Sequence, residues 1–188
     1  MEVTHKTPVE GAQAWPLSVA AYHTLAEAAL IPEGTELLYG VIYHKMSKSP
    51  FHSFLVTRLL RLVRALMPDD CLLRSEQPIT CIDSEPEPDL AIVRGTESDF
   101  KAEHPQTAEL VIEVCVSSHE YDRSKIRAYA SARVKECWLV LGPEKQIEVY
   151  RQPRGEQFAV LTSYGIGSRV NSSAIPEVSF AVDALFES

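Results

Sequence analysis

The sequence lacks the short motifs that mark several common enzyme classes. No G-x-S-x-G, G-x-G-x-x-G or Walker-type loop occurs, so serine hydrolases, dinucleotide enzymes and P-loop nucleotidases are without their main signal. The six histidines form neither an H-x-H nor an H-E-x-x-H pattern, which argues against a zinc site. The four cysteines include no C-x-x-C pair, and we interpret them as reduced, structural thiols.

Long apolar runs and an excess of positive charge are also missing. No segment approaches about 18 consecutive apolar residues, and the N-terminal "MEVTHKTPVEGAQAW" has no basic stretch leading into an apolar one. We therefore expect neither export nor a membrane span, and we expect the protein to be cytoplasmic. The formal net charge of −8 argues against a general nucleic-acid coat protein but is compatible with a locally basic groove.

What the chain does contain is typical of a single globular domain. Apolar residues make up 45% of the 188 positions, which is enough for one core. Within the predicted domain 1–188, residues 1–15 read as a loosely ordered lead, residues 17–150 as the core and residues 151–188 as a C-terminal extension.

Hydrophobic periodicity predicts an α/β or α+β fold with one mixed central sheet flanked by helices, preceded by an N-terminal helix and a β-hairpin, and of the two we expect the α/β class. The predicted helices are "SVAAYHTLAEAALIPEG", "FHSFLVTRLLRLVRALM" and "SSHEYDRSKIRAYASARV". The predicted strands are "TELLYGVIYHKM", which forms the hairpin, "CLLRSEQPITCI", "PDLAIV", "AELVIEVCV", "ECWLVLG", "QIEVYRQ" and "FAVLTSYG". Beyond Gly165 no pattern predicts an element.

One ionisable residue stands in the middle of an otherwise apolar strand. In "AELVIEVCV", Glu109 lies near the edge of the run, whereas Glu113 is flanked by Ile112 and Val114. An unpaired buried carboxylate costs several kcal/mol or gives up its charge. Glu113 therefore needs a partner, which is either part of a functional site or simply a buried arginine or backbone donors.

A second carboxylate, Asp89, follows Pro88 at the start of the strand "PDLAIV". If this strand pairs antiparallel with the next and Val93 lies opposite Glu109, then Asp89 lies opposite Glu113, with Cβ atoms about 5 Å apart. Like charges at that distance repel, so the pair needs a hard divalent cation or a shared proton between them. A paired-carboxylate glycosidase would tolerate this spacing, but the sequence offers no aromatic-rich cleft for a sugar.

The helix after Glu113 adds a cation. Asp122, Lys125 and Tyr129 stand at i, i+3 and i+7 and share one face of this helix, so Lys125 can reach the strand carboxylates. With an ordinary pKa Lys125 would be cationic and suited to stabilising a phosphate, and only a lowered pKa would make it a general base. The alternatives are a solvated Lys125 paired with Asp122 and a half-buried Tyr129 that only packs.

Three parts of the chain together form a longer motif: "ELLYGVIYHKM" followed by "FHSFLVTRLL", then "PEPDLAIV", then "LVIEVCVSSHEYDRSKIRAYASARVKECWLV". Its most specific feature is the order of Pro-Asp, a strand Glu before a Ser-rich turn, then Asp, Lys and Tyr, and finally a Trp-containing strand. These segments resemble the Uma-two (Uma2) family of endonucleases, which belongs to the PD-(D/E)XK, restriction-endonuclease-like superfamily. The resemblance covers roughly Leu17 to Tyr150.

The resemblance implies a restriction-endonuclease-like core and Mg²⁺-dependent catalysis, with Mn²⁺ as a substitute. Asp89 and Glu113 would be catalytic metal ligands, and Lys125 would be the superfamily lysine moved from the strand onto the helix. In the usual pattern that lysine lies two residues after the glutamate, where this chain has Cys115.

Other positions match the family as supporting residues. Glu36 begins the hairpin and His52 stands at the start of the long helix, where it is alternatively a simple helix-start residue. Asp122 is expected to cap or orient rather than catalyse. The chain departs from the family at Tyr39, where Asp or Asn is common before the hairpin glycine, and at "CVSSHE", where "LSPST" is usual.

Arg58, Arg61 and Arg64 drift along another face of the long helix. They could follow a DNA phosphate backbone, or they could form an ordinary solvated face.

We therefore expect a Mg²⁺-dependent endodeoxyribonuclease whose substrate is DNA and which, by analogy with nucleases that use two sites for two strands, forms a homodimer. One alternative is a non-catalytic nucleic-acid-binding or assembly domain that keeps the nuclease fold. Another is a metal-dependent phosphoesterase that acts on small substrates.

Overall fold

A computed structural model describes residues 14–117 and 119–187 of the chain. The predicted loose lead over residues 1–15 lies almost entirely outside the described residues. None of the helices in the described ranges has the length and apolar character needed to cross a membrane.

The structure contains helices at three of the predicted places and one further short helix. In the described residues the α-helices are α1 (Val19–Glu27), α2 (Pro50–Arg64), α3 (His119–Ser131) and α4 (Asp183–Phe186), with a 3-10 helix at Glu97–Phe100. The strands are β1 (Thr35–Leu38), β2 (Val41–His44), β3 (Cys71–Ser75), β4 (Leu90–Arg94), β5 (Leu110–Cys115), β6 (Glu136–Leu141), β7 (Gln146–Arg154), β8 (Gln157–Gly165), β9 (Arg169–Asn171) and β10 (Ser179–Ala181).

The central sheet is mixed, as predicted. Its six strands have the order β3-β4-β5-β6-β7-β8, and each neighbouring pair is antiparallel except β5 and β6, which run parallel. A parallel pair needs a crossover connection, and α3 supplies it. Both termini of α3 are therefore fixed by strands at the centre of the sheet.

Each face of the sheet carries one long helix. Ser49 caps α2 by accepting a hydrogen bond from the His52 N–H, and the apolar stripe of α2 packs against the alternate residues of β4, β5 and β6 that face it. The opposite face of the same strands packs against α3, where Ala128 and Tyr129 are buried. Consecutive residues of β5 thus point to different cores, and Glu113 belongs to the face covered by α3.

The N-terminal hairpin turns through two residues, Tyr39 and Gly40, whose φ angles are 54° and 74°. Positive φ at both positions is the requirement of a type I′ turn, which is why Asn or Asp before Gly is the usual choice. Tyr39 accepts this strain and contacts α3 instead, since its hydroxyl accepts a hydrogen bond from the Ala128 N–H at 3.0 Å and donates one to the Ser124 carbonyl. Tyr39, which stands where the family commonly has Asp or Asn, therefore links the hairpin to α3 through these two hydrogen bonds.

Two predicted regions differ from the structure. The predicted strand "CLLRSEQPITCI" ends at Ser75, because Glu76 adopts a positive φ of 54° and Pro78 has no N–H for a ladder. The region after Gly165, where no element was predicted, forms β9, β10 and α4. Its apolar residues, which include Val170, Val178 and Phe180, lie in the same core as α2.

Candidate active site

A cavity of about 450 Å³ opens at the end of the sheet where β4 begins and β5 ends. Its walls come from β1, the segment between β2 and α2, the first turn of α2, the two strand ends and α3. The charged residues that line it are the acids Glu36, Glu76, Glu87, Asp89, Glu113 and Asp122 and the lysines Lys45, Lys48 and Lys125. The cavity thus brings together all the predicted site residues except Tyr129 and the three arginines.

Asp89 and Glu113 occupy neighbouring strands in the predicted register. Leu90 pairs with Ile112 across β4 and β5, and one further step places Asp89 opposite Glu113. Asp89 lies just before the ladder begins, but its Oδ2 atom accepts a hydrogen bond from the Val114 N–H at 2.8 Å. This bond fixes the Asp89 carboxylate to β5, and the predicted register is confirmed.

Glu113 is 2% exposed and is surrounded by polar partners from α3. The Tyr129 hydroxyl donates a hydrogen bond to Oε1 at 2.5 Å, and Lys125 Nζ lies 3.4 Å from the same oxygen. Desolvation raises the pKa of Glu113 to about 8, with Lys125 opposing the shift and the charges of Asp89 and Asp122 adding to it. No arginine of the described ranges contacts Glu113, so the alternative of a buried arginine partner is wrong.

Lys125 is buried and shared between two carboxylates. It is 5% exposed, and its Nζ lies 3.1 Å from Glu36 Oε1 and 3.4 Å from Glu113 Oε1. Burial would lower the pKa of Lys125, but Glu113, Glu36 and Asp122 together raise it above its ordinary value. Lys125 therefore stays cationic. The interpretation of a solvated lysine is wrong, and the electrostatics do not favour a general base.

Glu36 reaches the site from the hairpin. It is 1% exposed, its Oε2 accepts a hydrogen bond from the Glu87 N–H at 3.1 Å, and its Oε1 accepts one from the Tyr121 hydroxyl. Tyr121 is a site residue that the sequence-based prediction omits. It stands four residues before Lys125, one turn of α3 away, and that spacing is the signal that would have found it.

His52 and Asp122 complete the predicted set at the cavity. His52 Nε2 lies 3.2 Å from Asp89 Oδ2, while His52 Nδ1 is buried without a hydrogen-bond partner among the described residues. Asp122 is 8% exposed and acts on Glu113 through its charge. His52 therefore contacts Asp89 as well as standing at the start of α2, and its supporting role stays a prediction. Tyr129 is fully buried and both packs and donates to Glu113.

The three arginines of α2 lie away from this cluster. Arg58 is six residues beyond His52, about 9 Å along the helix axis, and Arg61 and Arg64 are farther still. None of them lines the cavity, and the Arg58 guanidinium lies over the Phe54 ring at 5.6 Å. A contact between these arginines and DNA stays a prediction.

Asp89 and Glu113 are the residues that could hold a metal ion. Across 14–117 and 119–187, no group of three or more His, Cys, Asp or Glu side chains is arranged to bind a metal. Mg²⁺ commonly binds through one or two carboxylates and keeps several waters, so two adjacent carboxylates beside an open cavity are an adequate donor set for it. A structural zinc site, which needs four protein ligands, does not fit.

A family model described as "Uma2: Putative restriction endonuclease" matches residues 21–183. The chain belongs to the Uma2 family. Its fold is similar to the crystal structure of "a putative nuclease belonging to DUF820" from Anabaena variabilis ATCC 29413, with a TM-score of 0.73 and 18% identity over 86% of this chain and 96% of that one. At this level of identity the similarity supports the fold. No curated protein sequence matches the chain.

Membership of the Uma2 family confirms the resemblance and extends it. The resemblance in the sequence ends near Tyr150, whereas the Uma2 match continues to residue 183 and so includes β8, β9 and β10. The segment in which no pattern was found is therefore part of what this chain shares with its family.

Proposed function

We propose that this Uma2 protein is a Mg²⁺-dependent endonuclease that hydrolyses phosphodiester bonds in DNA. The observation that carries the proposal is the convergence of Asp89, Glu113 and Lys125 on one open cavity, with carboxylates from neighbouring strands and an ammonium 3.4 Å from one of them. The family is described as "Putative restriction endonuclease" and the structural neighbour as "a putative nuclease", and both descriptions support nuclease chemistry.

Asp89 and Glu113 would hold the metal ion, and Mn²⁺ would substitute for Mg²⁺. When bound, the ion supplies a Lewis acid for a phosphate oxygen and lowers the pKa of an attacking water. The protein keeps Asp89 in place through the Val114 N–H and His52, and it keeps Glu113 in place through Tyr129.

Lys125 would stabilise the negative charge that develops on the phosphate in the transition state. A permanently charged ammonium at a fixed position is suited to this role, and Glu36 and Tyr121 fix that position from the hairpin and from α3. Glu36 and Tyr121 therefore act through Lys125. DNA as the substrate, a homodimeric assembly and a cytoplasmic location are parts of the same proposal.

Incubation of purified protein with supercoiled plasmid, in Mg²⁺, in Mn²⁺ or in EDTA, tests the proposal. We expect nicking that requires the metal and falls at least about 10²-fold in Asp89→Asn, Glu113→Gln and Lys125→Ala. Glu109→Gln is the matched control, because Glu109 precedes the same strand but pairs with Lys135 at 2.8 Å outside the cavity.

Two outcomes would contradict the proposal. Absence of nicking by folded wild-type protein in either metal would favour the non-catalytic nucleic-acid-binding alternative, which a gel-shift experiment then tests. Nicking that survives in Asp89→Asn would place the chemistry elsewhere.

A further inference from the structure

The segment between β2 and α2, residues 45–49, forms one wall of the cavity mouth, and we call it the rim segment. Lys45 and Lys48 both line the cavity from this segment. Their side chains are 36% and 39% exposed, so both ammonium groups can be reached from solvent. The resemblance to the Uma2 family assigns neither lysine a functional role.

A phosphodiester that enters this cavity meets mostly negative charge. The acids that line it outnumber the lysines, and Lys125 is buried between Glu36 and Glu113. At a distance of a few ångströms two like charges repel each other even in water. The accessible positive charge that a polyanion can meet at the mouth therefore comes from the rim segment.

The rim lysines are held toward the cavity by carboxylates on the opposite wall. Lys48 Nζ lies 2.6 Å from Glu76 Oε1 and 3.7 Å from Asp89 Oδ1, and Lys45 Nζ lies 2.6 Å from Glu87 Oε2. Glu76 is 52% exposed, so the Lys48–Glu76 pair is a surface ion pair, and such pairs contribute little to stability. Exchanging Glu76 for a phosphate oxygen is therefore inexpensive for Lys48.

We propose that Lys48, assisted by Lys45, is a positioning residue that binds a backbone phosphate of the nucleic acid and guides it to Asp89 and Glu113. This inference rests on the proposed nuclease function, because it assigns the substrate contact of the same cavity. In the free protein Glu76 keeps the Lys48 ammonium beside Asp89. In the complex the ammonium exchanges Glu76 for phosphate and stays at the mouth.

Fluorescence anisotropy of a labelled DNA duplex, measured in EDTA and again in Ca²⁺ over a range of salt concentrations, tests this contact without relying on cleavage. We expect Lys48→Ala to weaken binding about three- to tenfold and to reduce the slope of log K against log salt by about 0.9, equally for duplexes of different sequence. Lys48→Arg should keep the affinity of the wild-type protein. The double variant Lys45→Ala/Lys48→Ala should show about twice the reduction in slope that Lys48→Ala shows. Lys101→Ala, an exposed lysine that does not line this cavity, is the control.

A titration with Mn²⁺ in the absence of DNA separates a phosphate contact from a merely structural role. Lys48→Ala should bind Mn²⁺ at least as tightly as wild type, because a positive charge 3.7 Å from Asp89 has been removed. If the substitution had damaged the site, the variant would instead bind both Mn²⁺ and DNA more weakly.

The failure of this inference can be distinguished from the failure of the proposed function. Wild-type protein that nicks plasmid while Lys48→Ala shows unchanged affinity and salt slope overturns the role of Lys48 and leaves the nuclease proposal intact. Binding that depends on Lys48 without nicking in any metal supports the contact and overturns the nuclease proposal. Wild-type protein that binds no duplex in either EDTA or Ca²⁺ overturns the contact.

Discussion

At the scale of single residues, the site is a buried network in which each charge depends on its neighbours. The Tyr129 hydroxyl and the Lys125 ammonium both contact the same oxygen of Glu113, and the Lys125 ammonium also contacts Glu36. Among the described residues Lys125 is the one cation in contact with both carboxylates, so its pKa is raised, while that of Glu113 is raised by burial. The free protein therefore keeps a cation ready beside a proposed metal ligand that holds its proton more tightly than an ordinary glutamate.

The raised pKa of Glu113 predicts how metal affinity depends on pH. A carboxylate must lose its proton before it binds a metal, and the pKa of Glu113 in the free protein is raised to about 8. Below that pKa the apparent affinity for Mn²⁺ should rise about tenfold per pH unit, and above it the affinity should level off. Isothermal titration at a series of pH values measures this, with proton release seen as a dependence of the enthalpy on the buffer.

Tyr129→Phe provides the matched variant for the pH experiment. The Tyr129 hydroxyl stabilises the charged form of Glu113, so its removal should move the inflection to higher pH without changing the affinity at the plateau by more than a few-fold. An affinity that is constant between about pH 6 and 8, or an inflection near the ordinary pKa of a glutamate, would contradict the proposed ligand role of Glu113.

At the scale of elements, strand alternation and helix periodicity made part of the site predictable. Asp89 and Glu113 share a face because directly opposed residues of antiparallel strands point the same way, and β4 and β5 adopt the register that was assumed from the sequence; Lys125 and Tyr129 share a helix face. Lys48 could not be predicted in the same way. It reaches Asp89 from a loop, and no periodicity of the sequence encodes the distance between a loop side chain and a strand end.

The element-scale prediction concerns β6 and the segment that follows β9. Glu136 is 0% exposed, and its Oε1 accepts a hydrogen bond from Trp138 Nε1 at 2.6 Å. Its Oε2 accepts bonds from the Ser173 N–H at 2.8 Å and the Ser173 hydroxyl at 2.6 Å, with Arg151 Nε 3.2 Å away. Glu136→Gln would set an amide N–H₂ against some of these donors, so we expect a loss of about 3 kcal/mol in the free energy of unfolding, measured by urea denaturation.

Glu156→Gln is the control for this experiment. Glu156 also forms an ion pair, at 2.8 Å from Arg127, but both side chains are more than half exposed, so its loss should cost less than about 1 kcal/mol. If both variants lost equally little stability, Glu136 would not be the residue that joins the C-terminal segment to the sheet.

At the scale of the whole molecule, the part of the chain after Gly165 behaves as core and not as an appendage. β9 and β10 have three residues each and α4 has four, too few for periodicity to predict them. Their apolar residues still fill the space beside α2 and Trp138, with Phe180 lying edge-on to the Trp138 ring at 5.9 Å. This packing consists of tertiary contacts with the sheet and with α2, and the local sequence pattern cannot predict such contacts.

Removal of residues 166–188 should therefore unfold the protein and not merely shorten it. Val170, Val178, Phe180 and Leu185 are each at most 4% exposed, and burying such a side chain contributes about 1.5–3 kcal/mol. Their sum approaches the whole stability of an ordinary domain, about 5–15 kcal/mol. We expect the truncated chain to lose its cooperative thermal transition in circular dichroism, whereas a chain that ends at Phe186 keeps it. A cooperative transition near the wild-type temperature in the truncated chain would mean that α2 and the sheet form a sufficient core without the C-terminal segment.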